Sequence, residues 1–343
     1  MEDASQSSSV DSLTSLITAG EYGRVVKSLE ELEAAAPEAR KRTLRELRSL
    51  AEEQMGVFDG VVPALTPFLT DSERSIRLTT ARLLVTIAES NPNAVVPVVE
   101  SVAARLADED EFYYVRARAA EVLGYVALEY PDEVSSPEVL ANLRVGLSFD
   151  KSEVKEKLAK AIEYVAVGKP ERLRHHASRL SEHLDNENEL VRYHLTTALV
   201  AVGNEHPERL SGVTAALAER LGDENAHVRG RAAEALGVLA REGVYEESSL
   251  EATLEAPDGD DGSFVSDRVQ FALDAVRESG AQERSGTLES DCDEFGTIES
   301  VRRTTSEAVD AISSPKSDEE CPHCGVALPE SGPPMCPHCG APR

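Results

Sequence analysis

The chain has 343 residues, with 63 Asp plus Glu against 35 Lys plus Arg and a formal net charge of -28. Phosphate affinity rests on clustered Lys and Arg, so this composition argues against DNA, RNA or an anionic membrane as the partner. Hydrophobic residues make up 41% but aromatic ones only 4%, with no Trp, so any core is built from Leu, Val and Ala.

Residues 1–9 read as a disordered polar N-terminus, with no basic residue ahead of an apolar stretch, so neither a secretory signal nor a transit peptide is expected. The richest apolar run, Val95–Val99, falls far short of the roughly 20 residues of a membrane helix, and a cytoplasmic protein is expected. From residue 10 apolar residues recur at helical spacing. Tyr22–Ala34 and a helix opened by Arg40 through Leu44, Leu47 and Leu50 form a first pair.

A polar turn followed by an apolar-basic pair then recurs at Ile76-Arg77, Val115-Arg116, Val154-Lys155, Val191-Arg192 and Val228-Arg229, at spacings of 39, 39, 37 and 37 residues. An Asp precedes the basic residue each time: Asp71, Asp110, Asp150, Asp185 and Asp223. Pro92, Pro131, Pro170 and Pro207 keep the same period, each suited to the first turn of a helix, where no N–H is needed. Residues 119–127 (AAEVLGYVA) return as residues 232–240 (AAEALGVLA), 113 positions later, and Gly124 and Gly237 inside them let neighbouring helices approach closely. Val265–Val276 is predicted as the second helix of an atypical terminal pair.

Paired helices at this period, with the Val-Arg and Ala-Ala-x-Ala-Leu-Gly pattern, resemble HEAT repeats of the compact kind also found in bilin lyases. The resemblance implies an all-α fold, an α-solenoid of about seven helix pairs over residues 10–283. It also implies that the recurring Asp and Arg form a polar ladder that fixes register between adjacent repeats.

Five histidines, His175, His176, His183, His194 and His206, crowd one repeat, with His176 and His183 seven apart. They read as surface histidines on a solvated helix face rather than as metal ligands. The His-Glu pairs of the HEAT-like deoxyhypusine hydroxylase are absent, as are a Gly-x-x-x-x-Gly-Lys-Ser/Thr phosphate loop and a Gly-x-Ser-x-Gly nucleophile turn. No catalytic and no cofactor-binding residue is assigned, and the chain is read as a non-enzyme.

Residues 284–320 read as an acidic linker with one short amphipathic helix, marked by Ile298, Val301, Thr305, Val309 and Ile312, which either docks on the repeats or awaits a partner. Residues 321–343 carry two hooks, Cys321-Pro-His-Cys324-Gly and Cys336-Pro-His-Cys339-Gly, separated by eleven residues. Four thiolates on two Cys-x-x-Cys hooks are the donor set of a closed tetrahedral structural Zn2+ site, and the segment resembles a zinc ribbon. One Zn2+ is expected on Cys321, Cys324, Cys336 and Cys339.

The expected function is a protein-protein interaction scaffold or adaptor, with the ribbon as a second contact module. The alternatives are a nucleic-acid-associated accessory factor, because zinc ribbons occur in transcription and RNA-processing proteins, and a bilin-lyase-like modifying enzyme, on fold analogy alone. The abundance of acids, with 27 Arg against 8 Lys, resembles the proteomes of salt-accumulating archaea.

Overall fold

A computed structural model describes residues 13–54, 56–244, 254, 262–281, 295–314 and 328. The four ribbon cysteines and Cys292 lie outside the described residues. The chain divides into two compact units, Met1–Gly168 and Lys169–Arg343. Among the described residues there is no strand, and no helix is long and apolar enough to cross a membrane.

In the first unit, helical residues 13–18 lead to α1 (Tyr22–Glu33) and α2 (Pro37–Glu53), which bury Val25, Leu29, Leu44 and Leu47 completely. A 3-10 run, Val62–Thr70, packs on α3 (Arg74–Ser90). The next pair is a short turn from Pro92 with α4 (Val99–Ala107), followed by α5 (Tyr113–Glu129). The third is a turn from Pro131 with α6 (Pro137–Gly146), followed by α7 (Ser152–Gly168).

The second unit repeats the plan. A 3-10 turn Pro170–Leu173 and α8 (Ala177–Ser181) precede α9 (Glu189–Glu205). Pro207–Leu210 and α10 (Thr214–Glu219) precede α11 (Ala226–Arg241). Two further helices follow, α12 (Gly262–Ala281) and α13 (Ile298–Ser313).

Each repeat therefore has a divided first member and a long second helix. Pro92, Pro131, Pro170 and Pro207 stand at the first turn of the leading segment, as the sequence predicts. Asn188 and Asn225 cap the second helices, each side-chain oxygen accepting from two backbone N–H groups. The second helices stack directly on one another, α5 on α7 and α9 on α11 on α12. A Cβ placed on Gly124 would lie 2.9 Å from the Ala161 Cα, and one on Gly237 would lie 2.9 Å from the Ala272 Cα, so both glycines set the spacing of stacked helices. The core is aliphatic, as composition requires, with Leu, Val and Ala dominating its buried side chains.

Candidate interaction surface

The recurring basic residue performs two tasks. Arg77 Nη1 donates to the carbonyls of Asp71 and Ser72, and Arg192 Nη1 to those of Asn186 and Glu187, closing the turn of their own repeat. The rest of the guanidinium reaches the next repeat. Arg40 meets Asp71 at 2.6 Å; Arg77 grips Glu111 through two bonds of 2.7 and 2.8 Å; Arg192 grips Asp223 through two bonds of 2.7 and 2.8 Å. These largely buried pairs, the last two of them forked, fix stacking register.

The ladder departs from the expected acids in three places. Glu111, rather than Asp110, receives Arg77, because its carboxylate is turned inward while Asp110 stays exposed. Asn186, rather than Asp185, accepts the backbone N–H two residues on, the task that Asp71, Asp108 and Asp223 perform in their own turns. At Arg116 an aromatic ring takes the partner's place. Its Nε donates to the Leu106 carbonyl and its guanidinium lies 4.7 Å from the Phe149 ring centre, beside a groove of about 460 Å³.

The histidines do not share one face. His176 and His183 flank the short α8 on either side, so no single helix aligns them. His194 is buried in α9 with its ring edge-on to Tyr193, a core residue rather than a surface one. No group of three metal-ligating side chains occurs among the described residues.

A second set of charges, which sequence reading passed over, lies along the second helices. In the first unit Glu121 accepts from Arg118 at 2.6 Å and from Lys160 at 3.3 Å, with Lys157 at 3.8 Å. Burial pushes its carboxyl up, but Lys157, Lys160 and Arg118 outweigh burial and hold it down at about 2. Lys160 also donates to the Tyr125 hydroxyl at 2.8 Å, and that hydroxyl donates to Glu89 at 2.7 Å. Burial pushes the Tyr164 phenol beside them up to about 12.

In the second unit the pair recurs 113 residues later: Arg231 Nη1 donates to Glu234 at 2.6 Å, with both side chains fully buried. Arg268 Nε donates to the same carboxylate oxygen at 2.9 Å, and the Tyr193 hydroxyl accepts from Arg231 at 3.0 and 3.2 Å. Here α13 closes the site. Val301, Ala308 and Ile312 are buried, and the last two join Leu190, Tyr193 and Val228 in one cluster with Phe264 and Val309 alongside. The chain enters α13 through Gly296, at a φ of 67°, whose N–H donates to Glu234 at 3.0 Å and whose carbonyl accepts from Asn204. The amphipathic helix of the acidic segment therefore docks on the repeats.

No family model and no curated protein matches the chain. Solved structures do. An engineered protein, structural-genomics target OR329, aligns at a TM-score of 0.56 and 20% identity over 67% of this chain and 99% of its own. The designed armadillo repeat protein YIII(Dq)4CqI aligns at 0.54 and 20% over 63% and 99%. A further designed armadillo repeat protein, in complex with the peptide (KR)4, aligns at 0.56 and 19% over 62% and 98%. At these identities the likeness establishes the fold: a helical-repeat α-solenoid.

Proposed function

We propose that the chain is a non-catalytic scaffold whose repeat surface binds a protein partner, with a tethered zinc ribbon as a second contact module. The observation that carries this reading is the stack of second helices, a repeated surface on which a helix from outside the repeat pattern, α13, is already seated. The designed armadillo protein with its bound peptide supports the same reading by fold analogy.

The repeats are of the compact HEAT kind, and the protein is cytoplasmic and of haloarchaeal type. The ribbon holds one structural Zn2+. Its donors are Cys321, Cys324, Cys336 and Cys339, a set that fits a closed tetrahedral site and leaves no open position for substrate. Metal binding would supply that short segment's folding free energy, on the order of 10 kcal/mol.

Affinity capture at native salt, comparing the full chain with one ending at Ser314, tests the scaffold. Partners retained by the shortened chain support it. Loss of every partner places the function in the ribbon instead.

A further inference from the structure

The groove beneath α13 holds more positive than negative charge. Arg231 is 0% exposed and Arg268 2%, and the two share one carboxylate, Glu234. Arg231 also donates to the Tyr193 hydroxyl and Arg268 to the Phe264 carbonyl, and one donor of each meets at a neutral atom: the Thr304 hydroxyl oxygen accepts from Arg231 Nη2 at 2.9 Å and from Arg268 Nη2 at 3.1 Å. Burial, with the neighbouring Arg231 charge, holds Arg268 below its usual range despite Glu234. The first unit differs. There Glu121 is surrounded by cations from the repeats themselves, so the network closes without an added helix. In the second unit closure depends on a helix borne on the acidic segment, and it places a hydroxyl where a carboxylate would supply the second counter-charge that two guanidiniums sharing Glu234 lack.

We infer that the face formed by α9, α11 and α12 is a docking groove for an amphipathic helix that carries a carboxylate at the position of Thr304, and that α13 occupies it as a displaceable internal stand-in. The partner's apolar stripe would match Val301, Ala308 and Ile312, all buried, of which α13 presents the last two to Leu190, Tyr193 and Val228. Its Asp or Glu would meet Arg231 and Arg268 together. The inference rests on the scaffold reading only in that the repeat face binds protein.

The test uses the full chain with Val301→Lys and Ile312→Lys, which unseat α13 by burying cations beside two arginines and in the apolar cluster, and labelled peptides of residues 295–314 in native form and with Thr304→Asp. The unseated chain is expected to bind the Thr304→Asp peptide at least tenfold more tightly than the native peptide, while the unaltered chain, whose α13 competes for the groove, binds each more weakly. Equal affinity for the two peptides, or equal binding by the unaltered chain, overturns the inference. A second measurement stands if the unseated chain does not fold. In the full chain carrying Thr304→Asp alone, amide exchange across residues 298–313 is expected to slow, and unchanged or faster exchange overturns the proposal. Partner capture that succeeds while both peptide arms fail removes the helix groove and leaves the scaffold standing.

Discussion

Glu121 and Glu234 occupy the same place in two copies of one nine-residue string, and each gathers cations around a single buried carboxylate. Glu234→Gln strands Arg231 and Arg268 without a counter-charge, and breaking such a buried pair costs about 3–5 kcal/mol. A chemical-denaturation midpoint unchanged by the substitution would refute the cluster's role. Glu121 makes a pH prediction. Its folded value lies at about 2 against an ordinary 4.5, so its stabilisation is fully present above pH 4.5 and is lost as pH falls toward 2. Glu121→Gln should remove this part of the acid transition, on the order of 3 kcal/mol. An unaltered acid-melting profile would contradict it. These glutamates were visible in the sequence as the one charged residue preserved inside a repeated apolar string. The Val-Arg ladder is the stronger sequence signal because it recurs five times at a period of 37 to 39 residues, whereas the Glu string recurs once. Glu111 was obscured by its neighbours, since in a run of four acids only the backbone decides which carboxylate turns inward.

The long second helices were legible because they combine an Asn or turn-residue start with an unbroken aliphatic period. Their divided partners were less so: α8 and α10 span only five and six residues, and a 3-10 turn ahead of them carries the same apolar spacing as a continuing helix. That misreading set His176 and His183 on one face. Gly124 and Gly237 were read correctly, because a glycine within an aliphatic stripe has little other use in a helix interior, where it costs about 1 kcal/mol relative to Ala. Gly124→Val should cost at least about 1–3 kcal/mol through overpacking against Ala161. Gly23, whose surroundings are open, is the control, and Gly23→Ala should not lower stability. Equal thermal midpoints for Gly124→Val and the native chain would show that helix spacing is not set there. Docking of α13 was not legible, because its five-residue apolar pattern suits an internal groove and an external partner equally.

For the whole molecule, the repeat accounts for the fold, while the acidity is concentrated elsewhere: residues 244–320 hold 21 acids and six bases. Within that segment α13 is only mildly acidic, which suits a helix seated over two buried arginines. Purified protein should carry one equivalent of zinc, lost in the Cys321→Ser, Cys336→Ser double variant, with melting of the repeat units unchanged. Elemental analysis that finds no metal in the native chain would contradict a zinc ribbon. Whether the stacked second helices form the partner-binding surface is measured by amide exchange of the full chain with and without a captured partner at native salt. Partner-dependent protection is expected on the second helices, with exchange across residues 298–313 speeding up as α13 is displaced. Protection confined to residues 321–343 would contradict it.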